Sequence, residues 1–346
     1  STPCEHSFPT RRSSDLKRGN SYMSEVKIIG TGSYIPKGIT TNDDLSKWVD
    51  TSDEWISSRT GIKERRLSIG ENTSELASKA AIDALKDANM KAEDIELIIV
   101  ATITSDSFTP STACMVQESI GAFNAVAFDI SAACSGFIFG LNTAYQFIKA
   151  GQMKNALVIG AEVLSKIVDF KDRNTCVLFG DGAGAAILKA SKKQGILYNN
   201  IGSDGINGKE SLNCTAVQLS NPYTKVEKKE ESFISMNGKE VFRFAVKIIP
   251  KSIEQILKDT NNRLEDIKYI IPHQANLRIV EFAAKKLKVD IEKFYVNLDR
   301  YGNTSSASIP IALDEMNKNG LLKKGDKIIL VGFGGGLTWG STLIKW

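Results

Sequence analysis

Histidine is nearly absent from this chain: among 346 residues only His6 and His273 occur. Chemistry that needs two histidines in one site has at most these two to draw on, and they are far apart in sequence. Long apolar runs are missing too, and none approaches the ~18 residues that a membrane-crossing helix requires. The five cysteines (Cys4, Cys114, Cys134, Cys176 and Cys214) form no CxxC pair and no zinc-type spacing. A chain this long does not need a disulfide scaffold, so they read as free thiols in a reducing cytoplasm. The net charge is only +4 and the charges are dispersed, which does not favour nucleic acid as a partner. Local basic clusters remain available for docking an acidic partner.

What is present is an ordinary globular balance, 42% apolar and 24% charged, in a chain long enough to bury a large core. The first 22 residues stand apart. They have neither hydrophobic periodicity nor the apolar stretch of a signal peptide, and they read as a tag or leader that does not join the fold. A flexible arm is the alternative. Met23 opens a stretch, SEVKIIGTGSYIP, that runs directly into a strand, and without residues 1–22 the net charge falls to near +2.

From there the chain repeats itself. At an offset of 172 positions, Leu85-Lys86-Asp87 falls on Leu257-Lys258-Asp259, Asp94-Ile95 on Asp266-Ile267, and Ile98-Ile99 on Ile270-Ile271. Leu157 to Gly160 falls on Ile329 to Gly332. Each copy reads as an amphipathic helix followed by a short strand that is apolar throughout, as expected when both faces are covered. Pro250 lies where it either kinks a helix or begins one. Alternating helices and fully apolar strands predict an α/β fold with sheets sandwiched by helices, in two halves of roughly 23–194 and 195–346.

The most informative stretch is AVAFDISAACSGFIFGLNTAYQFIKAG. Ala125 to Ile130 reads as a strand. Phe137, Leu141, Tyr145 and Ile148 then follow at helical spacing, with Gly151 as the stop. Cys134 falls at the transition among small residues. A helix start presents free N–H groups and partial positive charge, which favour a thiolate nucleophile there. Cys114 reads as part of a helix, Cys176 as the opening of an apolar CVLF strand, and Cys214 as part of an alternating segment. None of the three has an evident activating partner. GDGAGAA, Gly180 to Ala186, fits a GxGxxA pattern after a strand but reads as close backbone packing rather than a dinucleotide site.

Four motifs taken together, AACSGF, PHQAN (Pro272 to Asn276), YGNTSSAS (Tyr301 to Ser308) and GFGGGLTWG (Gly332 to Gly340), resemble the beta-ketoacyl-[acyl-carrier-protein] synthase III family, in the same order and over nearly the whole body. The resemblance implies a thiolase-like, internally duplicated fold layered α-β-α-β-α, with the active site between the halves. It implies that Cys134, His273 and Asn303 form the catalytic set, with the Cys134 and Gly335 N–H groups as an oxyanion hole. Trp55, Arg59, Arg173 and Asn276 are then expected at a coenzyme A site. Arg243, Arg278, Lys285 and Lys286 are expected to receive an acyl carrier protein.

The implied reaction starts fatty acid synthesis. An acyl group, by this reading acetyl from acetyl-CoA, moves to Cys134 and condenses with malonyl carrier protein as carbon dioxide is lost. No cofactor or metal is expected, and a cytoplasmic homodimer without membrane or nucleic-acid partners is. Phe108-Thr109-Pro110 departs from the family's Phe-Pro order, so primer length and branching do not follow from the motifs. Two other readings stay open: a Cys-His-Asn condensing enzyme or acyltransferase of secondary metabolism, and a non-catalytic subunit that binds carrier protein.

Overall fold

The computed structural model describes residues 25–208, 210–224 and 232–346; the leader expected over residues 1–22 lies outside them. The first sheet contains β1 (Glu25–Tyr34), β2 (Leu97–Ala101), β3 (Val126–Ile130), β4 (Asn155–Glu162) and β5 (Gly182–Ser191), in the spatial order β1-β5-β4-β2-β3. The second contains β6 (Ile196–Ser203), β7 (Tyr269–Pro272), β8 (Lys327–Gly334) and β9 (Thr338–Lys345), in the order β6-β9-β8-β7. Strand senses agree as well. In each sheet the first two pairings are antiparallel and the third is parallel.

The repeat extends to individual residues. Ile98 opposes Leu157 across β2 and β4, while Ile270 opposes Ile329 across β7 and β8, each residue 172 positions on. Asn89 and Asn261, separated by the same offset, both have positive φ (47° and 51°) just past a helix end. So do Ala133 (45°) and Ser305 (49°), in the two turns that matter most below.

Helices that frame the sheets include α1 (Asp53–Thr60), α2 (Thr73–Asp87), α3 (Gly136–Lys149), α4 (Gly238–Asp259), α5 (Leu277–Leu287) and α6 (Ser308–Lys318). The buried faces of α3 and α6 lie between the sheets. Phe137, Leu141, Ala312 and Leu313 share one core with Val158 of β4 and Leu330 of β8. Outside the first sheet, α2 lays Ala77, Ala80, Ala81 and Ala84 against it. Outside the second, α4 and α5 pack together on β7 and β8. The layers are therefore α-β-α-β-α, which explains why β2 and β4 are buried along their whole length.

Small residues allow this close stacking. A Cβ on Gly32 would lie 2.2 Å from the Ala84 nitrogen, and one on Gly184 would lie 2.6 Å from the Ile311 nitrogen. Gly182 and Gly184 of GDGAGAA belong to β5 and admit α6, while Gly180, which leads into the strand, lies against the Tyr301 carbonyl, so the stretch serves close backbone packing. Pro250 lies inside α4, which continues through it. One local expectation fails. Cys176 does not open a strand but ends a helical turn, Arg173–Cys176, which Asp172 caps through the Asn174 N–H. The apolar CVLF run is a segment buried beside the site rather than in a sheet.

Candidate active site

Cys134 sits where the layout is tightest. After β3 the chain turns through Ala133, forms a 3-10 turn over Ala133–Ser135 and enters α3. The end of β8 covers this turn. A Cβ on Gly334 would stand 2.7 Å from the Cys134 nitrogen and 3.0 Å from its Cβ, so only glycine fits there. The equivalent turn in the second half, Ser305–Ala307 before α6, is covered by the end of β4. At that strand end the counterpart of Gly334 is Glu162.

His273 follows β7, and its N–H donates to the Val331 carbonyl of β8 at 2.8 Å. Its ring is buried, with Phe333 edge-on at 5.2 Å between centroids. Nδ1 lies 2.7 Å from Ser308 Oγ, which also accepts the Gln274 N–H at 3.4 Å. Ser308 thus holds the Nδ1 side of the ring and leaves Nε2 without a protein partner among the described residues. Asn303 is held by its backbone to Leu178 and Gly180, and its side-chain oxygen accepts the Ser305 N–H at 2.9 Å. That orientation makes the amide NH2 its available donor.

Cys134, His273 and Asn303 line one cavity of about 120 Å³, together with Phe242, Asn276 and Phe333. Cys134 also borders a second space of about 660 Å³, with Ile103, Phe108, Leu164, Ile167 and Gly335 on its walls. The sulfur thus stands between two compartments, and the histidine and asparagine belong to the smaller one.

Burial dominates the electrostatics. It pushes the Cys134 thiol up to about 12, with the Glu162 charge adding to the rise and the Ser305 hydroxyl opposing it. Burial thus opposes the thiolate that the start of α3 favours. Burial likewise lowers His273 to about 3, which keeps the ring neutral. Glu162, fully buried, is raised by desolvation to about 7 against the hydrogen bonds it accepts.

The remaining expected residues form two groups. The guanidiniums of Arg59 and Arg173 both lie over the Trp55 ring, at 4.6 and 4.7 Å from its centroid. Arg173 also donates to the Asp50 carbonyl at 2.8 Å. Asn276 connects this group to the smaller cavity, donating to the Arg59 carbonyl at 3.0 Å while it caps α5 through the Arg278 N–H at 2.9 Å. Arg243 on α4 and Arg278, Lys285 and Lys286 on α5 are all exposed. Arg243 pairs with Glu240 at 2.7 Å. Lys285 and Lys286 lie two turns beyond Arg278, roughly 10 Å along the helix at 1.5 Å per residue.

Sequence reasoning missed Glu162, Ser305 and Ser308. The signal for Glu162 was an acidic residue closing an otherwise apolar strand, LVIGAE. For the two serines it was their position in the second copy of the turn that carries Cys134.

Residues 128–205 match the family described as 3-oxoacyl-[acyl-carrier-protein] synthase III, and residues 257–346 match its C-terminal part. A beta-ketoacyl-[acyl-carrier-protein] synthase III of Clostridium acetobutylicum is 62% identical over 324 residues, spanning 94% of this chain and 99% of that protein. The chain belongs to the beta-ketoacyl-[acyl-carrier-protein] synthase III family. Among solved members, the Aquifex aeolicus 3-oxoacyl-[acyl-carrier-protein] synthase III is 47% identical with a TM-score of 0.86, covering 93% of this chain and all of that one. A priming beta-ketosynthase of the R1128 polyketide pathway also reaches 0.86, at 33% identity over 93% of this chain and 96% of that one. The synthase III fold therefore serves more than one kind of pathway, and overall shape alone does not separate them.

Proposed function

We propose that the chain is a beta-ketoacyl-[acyl-carrier-protein] synthase III that moves an acyl group from acyl-CoA to Cys134 and condenses it with malonyl carrier protein. The observation that carries this reading is the convergence of Cys134, His273 and Asn303, from both halves of the repeat, on one cavity. In the first half-reaction Cys134 attacks the thioester, and backbone N–H groups of Cys134 and Gly335 receive the oxyanion. In the second, the Nε2–H of His273 and the amide of Asn303 hold the malonyl thioester oxygen. They stabilise the enolate that forms as carbon dioxide departs, and its carbon then attacks the acyl-cysteine. A neutral imidazole held by its Nδ1 side suits this role. No step calls for a metal or redox cofactor.

The smaller cavity accepts the pantetheine arm, which Asn276 guides from a nucleotide site at Trp55, Arg59 and Arg173. A base stacking between Trp55 and Arg173 requires that guanidinium to lift off the ring it now covers. The larger, mostly apolar space takes the acyl chain; its size and its open wall at Phe108, 86% exposed, suit acetyl and larger primers. Arg243, Arg278, Lys285 and Lys286 offer a basic face to an acidic carrier protein. Two copies pair along β3, an edge strand with Val126 exposed and the exposed Phe123 close by in sequence. Among the described residues no helix is long and apolar enough to cross a membrane, and we place the enzyme in the cytoplasm.

Release of carbon dioxide from malonyl carrier protein in the presence of acetyl-CoA, with 3-oxoacyl carrier protein as product, is the expected result. A chain that binds carrier protein yet forms no acyl-enzyme in mass spectrometry would show the non-catalytic reading to be the right one. Primer competition among acetyl-CoA, branched and longer acyl-CoAs separates fatty acid from secondary-metabolite priming.

A further inference from the structure

Arg65 has no part in the reaction as described, yet it is only 1% exposed and packs against the loop that carries Asn303. It belongs to a two-stranded ribbon of Gly38–Thr41 and Glu64–Leu67. Its Nη1 donates to the Thr40 carbonyl at 3.1 Å and to Asn42 Oδ1 at 2.8 Å, and its Nη2 donates to the Val177 carbonyl at 2.7 Å. Asn42 is itself anchored, since its amide donates to Asp53 at 2.7 Å and to the Ile62 carbonyl at 2.8 Å. A guanidinium can span these acceptors because its donors form a planar fork of fixed geometry. Among the described residues no carboxylate accepts from it, and its Nε has no partner. Burial lowers the group to about 10, which leaves it protonated at neutral pH.

The Val177 carbonyl is one peptide away from the hydrogen bonds that hold Asn303. The next carbonyl, that of Leu178, accepts the Asn303 N–H at 2.8 Å, and the Gly180 N–H donates to the Asn303 carbonyl at 3.0 Å. Both backbone segments press on the arginine: a Cβ on Gly180 or on Gly302 would stand 3.2 Å from the Arg65 Cβ. Leu178, Phe179 and Asn303 all line the smaller cavity. We infer that Arg65 is a positioning residue for the second half-reaction, fixing the Val177 carbonyl and, through the segment that follows it, the aim of the Asn303 amide.

The inference rests on the reading of Asn303 as a donor to the malonyl thioester and extends it to a residue that touches no substrate. A buried charge without a counter-charge is costly to desolvate, so ion pairing is not what Arg65 adds to the fold. What it adds is direction, three hydrogen bonds that tie the ribbon to the wall of the cavity. Acylation draws on other groups. Among the described residues no backbone hydrogen bond joins Cys134 or Gly335 to the segment from Val177 to Gly180, so loss of the fork separates the two half-reactions.

Malonyl decarboxylation and single-turnover acylation at saturating acetyl-CoA, measured on Arg65→Met and Arg65→Lys, test the role. Methionine keeps an apolar stem and lysine keeps the charge, but neither keeps the fork. In both variants kcat for decarboxylation is expected to fall by roughly 10- to 10²-fold, the scale set by a small misplacement of a reacting group. The KM for malonyl carrier protein and the acylation rate are expected to stay within several-fold. In an Asn303→Ala background either substitution is expected to add almost nothing, because the group that Arg65 aims is gone. Should melting show that Arg65→Met does not fold, Arg65→Lys carries the same cycle. Losses that multiply in the double variant, an equal fall in acylation, or an unchanged decarboxylation rate in a folded variant would overturn the inference. Undiminished decarboxylation in Asn303→Ala alone would sink the reading of Asn303, and the inference with it.

Discussion

At the scale of single residues, the site separates donors from acceptors. His273 and Asn303 are each fixed through one end, His273 Nδ1 by Ser308 and the Asn303 side-chain oxygen by the Ser305 N–H, and the opposite ends are left for the smaller cavity. Replacing His273 with alanine should therefore slow malonyl decarboxylation by ~10²–10³, the typical loss for one preorganised donor, and affect acylation much less. Separate measurement of the two half-reactions decides this, and an equal fall in both would make His273 the base for Cys134. Glu162 gives a second, thermodynamic prediction. Its folded value, about 7, lies above the ordinary 4.5, so between these the native state holds a proton that the unfolded state has released. Stability is therefore lost as pH rises through that window, and the penalty is complete above 7. Relative to the unaltered chain, Glu162→Gln should gain more melting temperature at pH 8 than at pH 5; an equal change at both would show that the carboxyl is not perturbed in this way.

At the scale of elements, most of the frame was legible because its signals are periodic. The apolar β2, the apolar middle of β4, the amphipathic α2 and the turn after β3 follow from hydropathy and small residues alone. Cys176 was misread because an apolar run of four is equally at home in a strand or against a buried helical turn, and only the Asp172 cap separates the two. Ser308 and Glu162 were hidden for another reason: their importance comes from neighbours more than 30 residues away in sequence. The junction of β8 with the Cys134 turn gives a prediction at this scale. Gly334→Ala places a methyl 2.7 Å from a backbone nitrogen and should lower acylation at least 10-fold, while Gly335→Ala, whose nearest contact is 3.4 Å, should be tolerated better. Acyl-enzyme formation rates for the two variants check the order, and equal rates would show that the turn yields without consequence.

Across the whole molecule, the repeat places one half's turn beneath the other half's strand end. If β3 pairs with its counterpart, Val126→Asp puts a charge in the middle of that interface and should shift the chain toward monomer in sedimentation equilibrium. A dimer undiminished by the change would place the interface elsewhere. The sequence announced the halves through a constant offset of 172 positions. It did not announce which of the two equivalent turns carries the sulfur and which carries the hydroxyl beside it. Ala133 and Ser305 share a backbone conformation, and only their side chains differ in what they do.

The buried thiol has a consequence for survival under oxidative stress. Peroxide reacts with thiolates, and the burial that pushes the Cys134 thiol up leaves less of it ionised near neutral pH. Cys134 is therefore shielded from oxidants by its own burial. Sulfenic acid formation at Cys134 should be slow in millimolar peroxide. Glu162→Gln, which removes the negative charge beside the sulfur, should make it faster; a rate no higher in the variant would show that the carboxylate does not restrain the thiol.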